Sequence, residues 1–168
     1  MKLKDYLLAQ LDREAESTRK AIERVPDGYN SFKPHERSME FGYLAALVAG
    51  MLGWIAFMID RDELNLDSAD SEGFRSKPLN GKADLLASLD AAVENARRAL
   101  QSTTDDHLAT SWAFKIAGQA VSKNARSIMI SDGVFSHLAH HRGQLTVYLR
   151  LLESKVPAIY GPSADERI

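Results

Sequence analysis

The chain contains no cysteine in 168 residues. Disulfides, zinc ribbons and a cysteine nucleophile are therefore excluded. Any metal must be held by His, Asp, Glu or backbone oxygen, and any thiol the chemistry needs must come from a second molecule. No run of five or six like charges occurs, so there is no charged interaction tail. A surplus of one sign is missing as well. There are 21 basic and 23 acidic residues, for a formal net charge of −2, whereas a nucleic-acid-binding domain shows a basic excess on one face. No nucleic-acid partner is expected. Repeats at solenoid periods and low-complexity segments are also absent. Met1-Lys2-Leu3-Lys4-Asp5 puts an acid where a secretory leader would be apolar, so the chain is expected in the cytoplasm.

What is present fits one domain over residues 1–168, with 45% hydrophobic and 26% charged residues. Residues 41–59 form a run of 19 without a charge, close to the length of a membrane span. The run holds three glycines and four alanines, and no second segment could accompany it through a bilayer. It is read as a buried helix that the amphipathic helices cover, and no membrane partner is expected.

Four long helical patterns follow one another. Leu7, Leu8, Leu11, Ala15, Thr18 and Ile22 make one stripe along a helix over Lys4–Val25. Ser38 is the expected N-cap of a second helix reaching Ile59. A polar connection over residues 60–79, with Gly73 and Pro78 among its turn residues, crosses one end of the bundle. Asn80 is expected to cap a third helix, Gly81–Gln101, with Leu85, Leu86, Leu89, Val93, Ala96 and Leu100 as its stripe. Residues 111–121 alternate like a short strand pair around Gly118. The last helix is expected over Asn124–Glu153. The fold class is all-α: an up-and-down four-helix bundle with long connections and a short hairpin before the last helix.

Three of the five histidines lie in Ser136-His137-Leu138-Ala139-His140-His141-Arg142-Gly143-Gln144. His137 and His141 are one turn apart on one face, and Gln144 and Tyr148 share it. Asp132, Arg142, Thr146, Arg150 and Glu153 fall opposite, on the face read as wet. Two imidazoles, an amide and a phenol in one inward row require partners, because a buried polar group left unpaired costs stability. Histidines at i and i+4 can chelate one metal ion. A hydrogen-bonded pair without an ion satisfies the same pattern, since the Glu of the protease signature is lacking. His140 lies on the flank of this face and is a further candidate ligand. Gly143 inside the helix is read as serving close packing or access. His35, Glu36 and His107 sit in connections and read as surface or capping residues.

Several segments together resemble the DinB/YfiT-like superfamily of helical-bundle proteins. They are Phe32-Lys33-Pro34-His35-Glu36-Arg37-Ser38-Met39, the Gly53-Trp54 pair, the segment from Ser136 to Leu145 with Tyr148-Leu149-Arg150, and the tail from Val156 to Glu166. The resemblance implies one divalent metal, zinc or nickel, held by three histidines. Two match His137 and His141. The third falls at Leu47, which cannot ligate, and Gly50 stands where relatives often carry an acid. A solvent molecule or His140 would then complete the coordination, with Gln144 and Tyr148 orienting substrate. Characterised relatives include S-transferases that use mycothiol or bacillithiol, and a thiol-dependent maleylpyruvate isomerase. The resemblance thus implies a small-molecule substrate, a low-molecular-weight thiol and a homodimer. The alternative is a metal-free relative that binds a small ligand or acts as a dimeric structural or regulatory protein.

Overall fold

The computed structural model describes residues 1–68, 71–72 and 76–167. The Gly73 turn residue lies outside them. Helix α1 (Leu3–Ile22) is followed by α2 (Phe41–Gly50), a 3₁₀ turn at Met51–Gly53, and α3 (Trp54–Asp60). Strand β1 (Glu63–Asn65) precedes α4 (Lys82–Ser102) and α5 (Asp105–Ala109). Strands β2 (Ser111–Ile116) and β3 (Gln119–Ala125) lead into α6 (Arg126–Ile130), a π-helical stretch at Ser131–Ser136, and α7 (His137–Leu151).

The long helices pack α1 on α4, α2 and α3 on α4, and α2 on α7. The apolar run lies at the centre. In its most apolar 18-residue window, 67% is buried within the chain. Leu44, Val48, Leu52 and Ile55 carry that core.

The expectation of a purely helical bundle is corrected by a three-stranded sheet in the order β1-β2-β3. The predicted hairpin is real: β2 and β3 pair antiparallel, with a bulge between Phe114 and Lys115. Its two-residue turn, Ala117-Gly118, has φ of 50° and 76°, the left-handed pair that matches strand twist. The unforeseen member is β1, which pairs parallel to β2 with Leu64 opposite Phe114. Three residues inside a polar connection carry too little periodicity to be read as a strand. Buried Arg126 ties this end together. Its guanidinium donates to the carbonyls of Met58 and Arg61 at the end of α3, to Asp62 Oδ1 at 2.6 Å and to Thr110 Oγ1 at 3.3 Å.

The expected caps are replaced by longer-range ones. Helix α2 starts at Phe41, three residues beyond Ser38, with no side-chain cap. Its first amides donate to connection carbonyls instead: Phe41 N to Phe32 O at 2.9 Å and Gly42 N to Asn30 O at 3.0 Å. A Cβ at Gly42 would stand 2.7 Å from Asn30 Oδ1, so this close approach requires glycine. Asn80 does not cap α4. Gly81 takes that position with φ 149°, and the Lys82 amide points at Asp27 Oδ1 at 3.4 Å. Asp105 holds the start of α1, accepting from Leu3 N at 2.9 Å and Lys4 N at 3.0 Å.

Candidate functional site: a histidine pair at the edge of the core

Leu138, Leu145 and Leu149 are fully buried and set the rotational phase of α7. His141, Arg142 and Tyr148 turn inward with them. His137 is half-buried at the edge of this face, while Gln144 and His140 are exposed. The phase expected from the sequence, centred on His137, is rotated from the observed one by about 80°. Two readings are corrected as a result. Gln144 lies outside the buried face. Arg142, assigned to the wet face, is 1% exposed.

The His137 and His141 rings stand 4.5 Å apart between centroids, with Nε2 facing Nε2 at 2.8 Å. His141 Nδ1 meets Gln144 Oε1 at 2.8 Å. His137 is hydrogen-bonded to the backbone of Gly133, which lies in the π-helical stretch one turn earlier. With its Nδ1–H on Gln144 Oε1, the neutral His141 ring carries its lone pair on Nε2. The 2.8 Å separation of the two Nε2 atoms is that of a shared proton, and the same two atoms could hold a metal cation. A metal-bound histidine has this same arrangement, its second nitrogen donating to an oxygen acceptor. Burial pushes both imidazoles below the usual histidine value. The Gly133 backbone opposes that shift at His137, and the Gln144 side chain opposes it at His141.

The surroundings are apolar and aromatic. The Trp54 ring lies 5.8 Å from that of His137. Leu47 is buried in α2, so the third position of the resembled site offers no donor. His140 stacks edge-on to His141 at 5.0 Å between centroids. Among the described residues, no three His, Asp or Glu side chains come together in a metal-holding group. The protein's own donors for an ion are therefore the two facing Nε2 atoms, a set that matches imidazole ligation with the other positions left to solvent or substrate.

Tyr148 and Gln144 take other partners than a substrate here. The Tyr148 hydroxyl donates to Met39 O at 3.0 Å, and its ring packs against Phe32 and Phe41. It holds the connection before α2 onto α7. Gln144 orients His141. Gly143 is exposed, and a Cβ there would meet nothing within 4 Å, so close packing does not explain it. His35 and Glu36 are exposed, as expected. His107 lies in α5, where its Nε2 meets Ile59 O at 2.9 Å.

Residues not foreseen form a polar network beside the pair, with Glu14, Thr18 and Arg142 buried and the largely exposed Tyr160 reaching in by its hydroxyl. Arg142 donates to Glu14 Oε2 at 2.7 Å, to Thr18 Oγ1 at 2.9 Å, to Glu14 O at 3.2 Å and to the Tyr160 hydroxyl. Tyr160 in turn donates to Glu14 Oε2 at 2.8 Å. Burial, reinforced by the hydrogen bond to Glu14, raises the Tyr160 phenol above its ordinary value. The available signal was Glu14 itself, an acid in register with Leu7, Leu11, Thr18 and Ile22 that had to find a buried cation.

Comparison with known proteins agrees with this architecture. YrdA of Bacillus subtilis (strain 168) is 25% identical over 163 residues, covering 96% of this chain and 90% of YrdA. The crystal structure of a DinB-like protein from Bacillus subtilis superposes with a TM-score of 0.65 at 19% identity, over 90% of this chain and 96% of that one. A DinB-like protein from Bacillus cereus ATCC 10987 gives 0.66 at 20% identity, over 89% and 92%. The DinB family model matches residues 1–167. The chain belongs to the DinB family.

Proposed function

We propose that His137 and His141 hold one divalent metal ion, zinc or nickel, in an open site that serves a thiol-dependent transfer or isomerisation on a small molecule. One observation carries this reading: the two Nε2 atoms face each other at 2.8 Å while His141 Nδ1 is engaged by Gln144. Bound there, the ion would supply a Lewis acid that lowers the pKa of a thiol brought by the cosubstrate, as this cysteine-free chain requires. The chain's own residues prepare the place. Gly133 and Gln144 fix the ring orientations. Burial keeps the imidazoles neutral and able to ligate. Trp54 excludes water from one side of His137. His140, on the exposed flank, is the nearest further imidazole.

A second reading rests on Leu47. A buried apolar residue at the third position weakens the site, and the protein is then a metal-free relative that binds a small ligand or works as a homodimer. The apolar α2–α3 run already has most of its surface covered within the chain, so it offers little of that surface to a second copy.

Elemental analysis of untagged protein from zinc-replete medium separates the two. The metal reading predicts bound zinc or nickel that is lost in His137→Ala. It also predicts at least tenfold tighter zinc binding in Leu47→His. No metal in the parent chain, together with no gain in Leu47→His, contradicts it.

A further inference from the structure

A cleft of about 450 Å³ runs between the α2–α3 segment and α4. It is separate from the histidine pair but shares a wall with it. Trp54 lines the cleft and also stands 5.8 Å from the His137 ring. Phe57 and Leu79 add to the apolar lining, and Lys77 is the single charged residue among the described ones that line it.

One stretch of the cleft wall carries no side chain. Gly50 lies on its wall, and a Cβ there would meet only Ser88 Oγ at 3.9 Å. Helix packing therefore does not demand glycine at this position. Glycine within a helix costs about 1 kcal/mol relative to alanine, and here the physical result of that cost is open volume. The volume lies within the range of small-molecule pockets. An aromatic wall with one cation, two hydroxyls and the Asn95 amide selects by chemistry. Flat apolar surface is buried against Trp54 and Phe57, and a negative group is directed to Lys77.

We propose that this cleft binds a small planar apolar molecule carrying one carboxylate, with Gly50 as the residue that keeps it open and Lys77 as its anion contact. The site needs no metal, so it stands or falls independently of the histidine pair.

Calorimetric titration of the full chain in the presence of a chelator, with 2-naphthoate and its neutral analogue 2-naphthamide, tests this. The expected result is binding of 2-naphthoate about three- to fivefold tighter than 2-naphthamide, the range of one exposed charge pair. Lys77→Met should remove that preference while leaving naphthamide affinity unchanged. Gly50→Leu should weaken both at least tenfold, with a thermal midpoint no lower than the parent's, because its side chain enters empty space. Three results would overturn the proposal: no binding of 2-naphthoate at millimolar concentration, undiminished binding in Gly50→Leu, or equal affinity for the two compounds in the parent chain.

Discussion

Arg142 is the residue whose surroundings matter most beyond the histidines. It is buried, its charge is met by Glu14, and it follows His141 directly in sequence. Its anchorage to α1 holds the rotation of α7 and therefore the direction of both imidazoles. Arg142→Ala should destabilise the chain by about 3–5 kcal/mol in urea unfolding, since it strands the Glu14 carboxylate. The double variant Glu14→Leu/Arg142→Met should lose much less, because apolar partners remove both desolvation costs together. A double variant as unstable as the single one would show that the pair does more than neutralise itself. The helical wheel placed Arg142 in water because it took the histidines as the centre of the buried face. Leu138, Leu145 and Leu149 were available in the sequence as a better guide, being the heaviest apolar row on that helix. The role of Tyr160 was not legible, because its partner Glu14 is 146 residues away.

At the scale of elements, periodicity was enough for the long helices and for the β2–β3 hairpin. The apolar stripes of α1 and α4 are buried much as expected, with Leu7, Leu11, Leu89 and Leu100 fully enclosed. Helix starts were not legible, because their donors are satisfied from a distance. Asp105 accepts from the first amides of α1 across 102 residues. Hydrogen bonds from the Lys4 and Leu3 backbone lower its carboxyl below the ordinary value. A lowered carboxylate contributes stability above its unfolded pKa and loses it as pH falls through the folded one. Asp105→Ala should therefore unfold at lower urea than the parent near pH 7, and the gap should close as pH drops below the usual carboxylate range. A gap that stays constant with pH would mean the carboxylate is not what holds the helix. Gly143 gives a contrary sign. It is exposed in mid-helix with free space around it, so Gly143→Ala should stabilise by about 0.5–1 kcal/mol in the same assay. A loss would reveal a backbone conformation or contact that glycine alone allows.

Across the whole molecule, the tail closes over α1 and α7. Tyr160 enters the Glu14–Arg142 network, Asp165 pairs with Arg150, and Glu166 pairs with Arg24. The far end is closed by Arg126 and the small sheet. Between them the histidine pair sits where α7 follows a π-helical stretch and meets α2 and α3. That its two rings share one face was legible from the i, i+4 spacing, whereas their place at the edge of the buried face was not. The orientation of its nitrogens was not legible either, since that depends on the backbone of Gly133 and on an exposed glutamine. The two-histidine reading makes a direct demand on those nitrogens. Nitrogen-15 NMR of the histidine side chains during a zinc titration measures it. The predicted result is a shift of Nε2 in both His137 and His141 to metal-bound positions at one equivalent of zinc, with each Nδ1 remaining protonated. If zinc leaves either Nε2 unmoved, or binds through Nδ1, the facing pair is not a metal site.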